Sequence, residues 1–345
     1  MLEKMSQNCT FIYNIELDSI WGAISILSNE RSHNICAEIY GVQAIEYWHH
    51  KYAYLYEMFS QLEKSYKVNL MDFLLDIPLD NFSISQYKEY LLSLAPETFI
   101  WRMLNLDMCN TADIEVLRNS LTSDAAIEEV YHWISDSCPS LLVLSAFIRQ
   151  CDRFIQDFFS LAEEMVSVKL ENAINQRQNE LNEMYHTISD GLNEMDPNSM
   201  TEQLMGKKVH NQGPFTKFIF CPSYFLPYKV CRFFHIQGES KRQILFLALH
   251  PTHHNRKDII KALKAIADPT RYQILTVLSQ EGPMRGMDIA RKVSVATYTI
   301  SHHMEQMKEC GLITEEPVKN SKYYGLSKQN VEALLDEIAK EFELK

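Results

Sequence analysis

The chain has 345 residues, 46% of them hydrophobic, and a formal net charge of −12. That length allows two or three domains with sizeable cores, and the composition is ordinary for a globular protein. No run of about eighteen apolar residues is present and the N-terminus lacks the regions of a signal peptide, so we expect a cytoplasmic protein that does not contact membranes.

Helical patterns dominate the N-terminal part of the chain. Residues 11–17 predict a short strand, because β-branched and aromatic side chains are frequent there. From about residue 18 to 188 the apolar residues recur at helical spacing, and we expect 141–185 to be one long or kinked helix. Residues 191–213 are polar and contain Pro197, which indicates a linker or loop.

An aromatic-rich segment lies within residues 40–59. Aromatic residues at helical spacing belong more often to a core than to a binding site. The same residues could line a pocket for an aromatic or apolar effector. The candidates for that pocket are Tyr47, Trp48, Tyr52 and Tyr56. Both interpretations stay open.

The hydrophobic period changes after residue 213. Three β-branched or aromatic runs predict strands at 216–221, 228–236 and 242–249. The sequence Gly-Glu-Ser at 238–240 indicates a hairpin between the last two strands. Pairing with residues 11–17 would close a small antiparallel sheet.

These patterns divide the chain into domains. Residues 1–250 are predicted to form one α+β domain of helices and a small antiparallel sheet. Residues 251–257 would be a connector, and residues 258–345 a second domain. The fold class expected for the whole chain is mostly α-helical with small β elements.

Two other groups of residues have a functional and a structural interpretation. Cys221 and Cys231 lie on neighbouring predicted strands and could form a redox pair, although two buried thiols are favoured. His250, His253 and His254 could place two imidazoles on a metal, but they lie beside a proline in the connector, and a solvated connector is favoured.

The C-terminal part of the chain has an ordered series of helix signals. Asp258 begins an apolar helix stripe. Asp268 and Pro269 start a second helix as N-cap and first helical residue, and Gly282 ends it. A short helix, a longer helix, a β-hairpin and a final helix follow at 287–293, 296–310, 312–326 and after Ser327. This order is that of a winged helix-turn-helix.

The helix predicted at 296–310 is narrow enough to enter a DNA major groove. Ile300 and Met304 are expected to face the core. The side chains that could reach base edges are Thr297, Tyr298, Thr299, Ser301 and His302. At the hairpin, contacts with phosphates or the minor groove are expected from Lys319, Asn320 and Lys322.

The charge distribution agrees with this assignment. Residues 1–257 hold 21 Lys and Arg against 32 Asp and Glu, whereas residues 285–328 hold 7 against 5. The slight positive excess lies where DNA is expected. It favours a sequence-specific dimer with weak non-specific binding over a general nucleic-acid coat protein.

Two segments of the C-terminal domain, KAIADPTRYQIL at 264–275 and TISHHM at 299–304, resemble the motifs of a known family. They are similar to the ALADPTRxxIL opening and the TVSHHL recognition helix of the ArsR-type repressors. Residues 311–313 and 323–326 are similar to the wing strands of that family. The resemblance covers about a quarter of the chain. It implies a homodimer that binds a two-fold-symmetric operator and releases it on a signal.

The resemblance also implies that the first and last helices of this domain form the dimer interface. The last helix here carries an apolar stripe that a single small domain could leave partly uncovered. The stripe, and with it the candidate dimerisation surface, consists of Val331, Leu334, Leu335, Ile338 and Phe342.

The sequence departs from the family's pattern at four places. Ala296 replaces the usual serine cap of the recognition helix, and the first wing strand is acidic at 314–317. The family's thiolate metal motif would fall on 287–293, where no cysteine occurs, and the final helix has no histidine. We therefore predict no metal site, no cofactor and a signal that is not a metal ion.

Residues 220–225, FCPSYF, follow a long helical region and precede the ArsR-type domain. This arrangement resembles a group of long, poorly characterised bacterial regulators. It implies a sensing or assembly role for the N-terminal domain. Because a regulator needs an input, we also expect a small molecule or a protein as effector.

Three classes of function can be weighed against these motifs. A DNA-binding regulator, most simply a repressor of double-stranded operator DNA, explains the C-terminal motifs. A module whose winged helix docks a protein instead of DNA is the alternative, because the wing strand is acidic. The sequence contains no G-x-G-x-x-G, G-x-x-x-x-G-K-[ST], G-x-S-x-G or H-E-x-x-H motif, so we predict no catalytic residue and no enzyme.

Overall fold

A computed structural model of the chain separates it into two compact units, Met1–Leu249 and His250–Lys345. The structure describes residues 1–28, 33–61, 69–135, 138, 140–209, 211–226, 230–235, 241–249, 256–318, 321–342 and 344. Both units are mostly helical, and each has one small sheet. Within the described residues, no helix has both the length and the apolar character needed to cross a membrane.

The first unit is built mainly from helices, as predicted. Its α-helices α1 to α13 are Ile15–Ser28, His33–Tyr40, Val42–Lys51, Ala53–Gln61, Ile84–Ser93, Pro96–Met103, Ile114–Ser120, Asp124–Ile134, Leu141–Arg149, Cys151–Met165, Val168–Asn175, Gln178–Glu194 and Pro197–Met205. Two 3-10 helices, Asn69–Asp76 and Leu106–Met108, lie between them.

The single helix predicted over 141–185 is wrong, because the segment forms four helices, α9 to α12. The backbone leaves the helical region at Gln150 and again at Val166, where ψ is 104°. Extended residues at such points end one helix and let the next take a new direction. Hydrophobic spacing continues across these breaks, so periodicity alone did not reveal them.

The loop predicted over 191–213 is wrong for most of its length. Helix α12 continues to Glu194, and α13 follows at Pro197–Met205. The Asp196 carboxylate accepts from the backbone N–H groups of Asn198 and Ser199, and Pro197 occupies the first turn. These are standard helix-start signals, although the segment is polar.

The first unit contains a five-stranded sheet. Its strands are β1 Leu2–Lys4, β2 Cys9–Ile12, β3 Lys217–Ser223, β4 Val230–Phe234 and β5 Arg242–Ala248, in the order β1-β2-β3-β5-β4. Strands β2, β3 and β5 are parallel, whereas β1 and β4 run antiparallel to their neighbours. The antiparallel sheet that we predicted is therefore wrong, and the sheet is mixed. The long helical connection from β2 to β3 permits their parallel pairing.

The strand predicted at 11–17 is also shorter and earlier than expected. It ends at Ile12, and α1 begins at Ile15. The Asn14 side chain accepts from the N–H groups of Glu16 and Leu17 at 2.9 and 3.0 Å and so caps the helix. Strand β3 is buried along nearly its whole length, as expected for a strand with parallel neighbours on both sides.

Helix α1 lies at the centre of this core and is buried on all sides from Leu17 to Leu27. A Cβ atom at Gly22 would lie 2.4 Å from the Met165 Cε atom, so the glycine leaves room on α1 for the Met165 side chain of α10. Cys221 on β3 and Cys231 on β4 both face Phe246 in register, and strand β5 therefore separates them. Burial raises the pKa of both thiols, which favours the buried-thiol interpretation.

The second unit has the element order predicted from the sequence. Its helices α14 to α18 are Arg256–Ile266, Pro269–Glu281, Gly286–Lys292, Thr297–Glu309 and Lys328–Glu341. Its strands are β6 Met284–Arg285, β7 Ile313–Val318 and β8 Ser321–Leu326, in the order β6-β8-β7. The short strand β6 was not predicted. Asp268 caps α15 by accepting from the Arg271 N–H at 2.9 Å, and Gly282 follows its end with a positive φ of 80°.

Candidate nucleic-acid interface

Helix α17 is the predicted DNA-reading element. Ile300 and Met304 are buried in the core of the second unit, so one face of the helix is fixed. The opposite face is exposed: Tyr298 is 90% accessible, and Thr299, Ser301 and His302 are also exposed. The side chain of Thr297 lies outside the described residues. Four of the five candidates on this helix therefore share one accessible surface.

Arg271 on α15 holds α17 in place. Its Nε donates to the Ala265 carbonyl at 2.7 Å, and a terminal nitrogen donates to the Lys264 carbonyl at 3.1 Å. The other terminal nitrogen donates to Gln306 Oε1 on α17 at 2.5 Å. The Arg271 guanidinium therefore links two carbonyls at the C-terminal end of α14 to the Gln306 side chain of α17. The sequence showed Arg271 only as part of a family motif, and its role is visible only in three dimensions.

The two adjacent histidines have different environments. His302 is exposed on the accessible face of α17, whereas His303 is half-buried near Asp268 and Arg271. Burial lowers the pKa of His303, and the Asp268 charge only partly opposes that change. Its buried Nδ1 has no hydrogen-bond partner among the described residues. These environments agree with a surface role for His302 and a packing role for His303.

The wing, which is the hairpin formed by β7 and β8, carries acidic as well as basic side chains. Lys319 and Asn320 lie outside the described residues. Lys322 on β8 is exposed, and its Nζ is 3.0 Å from a Glu315 carboxylate oxygen. The other oxygen of Glu315 lies 3.5 Å from Nζ of Lys308 on α17. The sequence indicated an acidic strand here but not that Glu315 contacts both lysines.

The predicted dimerisation stripe divides between the core and the surface. Leu334 is buried in the core of its own unit, and Val331 and Ile338 pack against that core. Leu335 is 59% exposed and Phe342 66% exposed. On α14, Ile260 and Leu263 are also exposed apolar side chains. Only part of the stripe is therefore available to a second surface.

Two of the four aromatic candidates in the first unit contact one carboxylate, Glu164. Trp48 Nε1 and the Tyr52 hydroxyl donate to the two oxygens of Glu164 at 3.0 and 2.7 Å, and Lys51 donates to it as well. Burial would raise the pKa of Glu164, but these donors outweigh burial and lower it. Trp48 and Tyr52 are buried, which favours the core interpretation for them.

The other two effector candidates lie apart from this hydrogen-bonded group. Tyr47 is exposed, and Tyr56 is half-buried beside the His49 ring at a centroid distance of 4.3 Å. The effector pocket stays a hypothesis, and the described geometry brings only Trp48 and Tyr52 onto one partner, Glu164.

A buried carboxylate, Asp18, organises the FCPSYF segment. It accepts from the Ser223 hydroxyl at 2.5 Å, from the N–H groups of Tyr224 and Phe225, and from the Tyr13 hydroxyl. Burial raises the pKa of Asp18 to about 6, although all four donors oppose the rise. Sequence reasoning missed Asp18, because a lone aspartate early in a helix normally stays at the surface.

We expect Asp18 to make stability depend on pH. An aspartate has a pKa of about 3.9 when unfolded, so the native state binds the proton more tightly. The contribution is complete below that pH and is lost as the pH rises through about 6. The stability of wild type relative to Asp18→Asn should therefore fall by on the order of 2–3 kcal/mol between pH 4 and 7. Urea unfolding of both proteins across this range tests it, and a difference independent of pH would contradict the assignment.

Comparisons with known proteins concern the C-terminal unit. Residues 268–315 match the family described as "Bacterial regulatory protein, arsR family". A cadmium resistance transcriptional regulatory protein CadC homolog of Staphylococcus aureus is 34% identical over 82 residues, which are 24% of this chain and 68% of that protein. Transcriptional repressor SdpR of Bacillus subtilis is 38% identical over 64 residues, 19% of this chain and 70% of that protein.

Solved structures also match this part of the chain. One is a homodimeric winged helix-turn-helix DNA-binding domain from Mycobacterium bovis, described as a possible ArsR-family transcriptional regulator. It is 27% identical, and the match covers 25% of this chain and 81% of that one with a TM-score of 0.22.

Proposed function

We propose, from the premise that this chain belongs to the arsR family of bacterial regulatory proteins, that it is a sequence-specific DNA-binding repressor. It acts as a homodimer on double-stranded operator DNA in the cytoplasm, and it has no catalytic activity. Its first unit receives a signal other than a metal ion, from a small molecule or a protein.

The exposed polar face of α17 is the observation that carries this proposal. Ile300 and Met304 anchor the helix, and Arg271 fixes its side through Gln306. The opposite face then presents Tyr298 and Thr299. Because the helix is already folded, DNA binding does not require the conformational entropy cost of forming it. A preformed helix with hydrogen-bonding groups in its first turn suits base recognition in a major groove.

Dimerisation is proposed from the exposed apolar side chains of the same unit. Leu335 and Phe342 on α18 are exposed beyond the local core, as are Ile260 and Leu263 on α14. A second copy would remove this apolar surface from water. It would also place two recognition helices on one operator, where the second contact follows readily once the first has formed.

A selection from random DNA tests the proposed function directly. The purified 345-residue chain is incubated with a random duplex library at about 0.15 M salt, near physiological ionic strength, and bound DNA is sequenced after each round. We expect enrichment of a two-fold-symmetric motif whose half-sites lie about one helical turn apart. Recovery of no motif would overturn sequence-specific binding.

The wing ion pairs favour a second candidate, in which the winged helix docks a protein. Glu315 contacts Lys308 of the recognition helix and also Lys322, which is expected to face phosphate. DNA binding would weaken steeply with salt because of counterion release, whereas protein docking need not do so. The salt dependence of the selected interaction therefore separates the two candidates.

We expect binding to the selected operator not to respond to metal ions. Residues 287–293 contain no cysteine, and helix α18 contains no histidine, so the ligands that the family resemblance implies for a metal sensor are missing at these positions. Tag-free protein should contain no stoichiometric zinc, and added zinc or cadmium should leave its operator affinity unchanged. Elemental analysis and titration after chelator dialysis measure both. Release of the operator by either metal would contradict the prediction.

A further inference from the structure

Glu315 lies between the recognition helix and the wing. It belongs to β7, and its carboxylate contacts Lys322 Nζ of β8 at 3.0 Å and Lys308 Nζ of α17 at 3.5 Å. Lys308 lies closer to Glu305 of its own helix, at 2.9 Å, so Lys322 is the lysine that pairs mainly with Glu315. The Glu315 side chain is only 21% exposed, whereas Lys322 is 62% exposed. Burial alone would raise the pKa of Glu315, but the two ammonium groups outweigh burial and lower it. The carboxylate is therefore ionised at neutral pH.

These contacts reduce the positive charge that the surface offers to DNA. Residues 285–328, which include α17 and the wing, hold 7 basic against 5 acidic residues, so each ion-paired lysine is a substantial part of the local excess. Sequence-independent affinity depends on the number of phosphates that basic side chains neutralise. A lysine already paired to a carboxylate must exchange one anion for another, so it releases fewer counterions from the DNA.

A purely structural role accounts poorly for Glu315. Exposed ion pairs contribute little to stability, and Lys322 is mostly exposed. The wing is already held by the antiparallel pairing of β7 with β8, which is continuous from the Ile313–Leu326 pair to the Val318–Ser321 pair. The carboxylate therefore has its main effect on the electrostatic field of the surface and not on the hairpin.

We infer that Glu315 is an internal counter-ion that competes with DNA phosphate for Lys322. It suppresses sequence-independent binding, so that stable binding requires the base contacts of α17. This inference rests on the proposed function and identifies a residue that determines specificity. Specificity is a difference between two affinities, and weakening the non-specific one raises it as effectively as adding a base contact.

The test compares salt dependence on a random-sequence duplex. Glu315→Gln keeps the shape of the side chain and removes its charge. We expect its binding to be about tenfold tighter than that of wild type at about 0.1 M salt, with a log–log salt slope steeper by about one unit. Affinity for the selected operator should rise less, so the ratio of specific to non-specific affinity should fall. Fluorescence anisotropy over a potassium chloride series measures each quantity.

A matched control separates the local effect from net charge. Glu309 on α17 pairs with Lys261 of α14 at 3.0 Å, and Glu309→Gln makes the same change in charge. Its salt slope should equal that of wild type. A slope for Glu315→Gln that does not exceed that of Glu309→Gln would overturn the inference.

A double-mutant cycle adds a second readout that does not depend on net charge. Lys322→Gln should lower the slope by about one unit in the Glu315→Gln background, but by clearly less in wild type, where Glu315 already neutralises the lysine. Equal effects in both backgrounds would overturn the inference while leaving DNA binding intact. Failure of every protein to bind any duplex at low salt would instead overturn the proposed function.

Discussion

Replacing Tyr298 and Thr299 together with alanine is expected to weaken binding to the selected operator by about 2–4 kcal/mol, roughly 30- to 1,000-fold. Both residues lie on the exposed face of α17, and Tyr298 is 90% accessible, so their loss removes the proposed groove contacts without opening the core. Binding to random DNA should change little, because base contacts carry the specificity and phosphate contacts do not. Anisotropy titrations with operator and random duplexes measure the two affinities.

The matched control removes the same side chains elsewhere in the unit. Tyr272 and Thr276 lie on α15, where Tyr272 is also exposed, and their replacement by alanine should leave operator affinity within a factor of about three. Thermal unfolding of both double variants should match wild type closely. Wild-type operator affinity in the α17 double variant would show that this helix does not read the bases.

Leu335→Asp is expected to convert the proposed dimer to monomer at micromolar concentration. Leu335 is 59% exposed in the single chain, so the aspartate costs the folded monomer little. In a two-fold dimer the substitution occurs twice in an apolar interface. Losing the burial of two leucine side chains alone reduces the free energy of association by about 3–6 kcal/mol. The dimer dissociation constant should rise roughly a hundredfold or more. Operator affinity should fall with it, because one recognition helix would bind alone.

Sedimentation equilibrium of wild type and variant measures this effect. Leu142→Asp provides the control, since Leu142 is an exposed leucine in the first unit and its substitution should leave assembly unchanged. The neighbouring Leu334 is not a suitable test, because it is buried and Leu334→Asp would destabilise the fold itself. A monomeric wild type, or a normal dimer of Leu335→Asp, would refute an interface at α18.

Local chemistry in the sequence was sufficient to predict the second unit except for its short strand β6. Asp268 and Pro269 start α15, Gly282 follows its end, and Ile300 and Met304 are buried as the helical spacing indicated. Each of these signals acts within about one helical turn. All the residues that determine it are therefore close together in the sequence. The family motifs lie in the same segment, and the sequence was therefore sufficient to identify the candidate DNA-reading face.

Only the tertiary structure decided which distant groups meet. Cys9 of β2 pairs with Phe218 of the parallel neighbour β3, and Glu315 contacts lysines from two other elements. Leu334 and Leu335 are adjacent and chemically identical, yet one is buried and the other exposed, because neighbouring helix residues point about 100° apart. Strand direction and ion pairing depend on the path that the intervening chain takes. Hydrophobic periodicity does not specify that path.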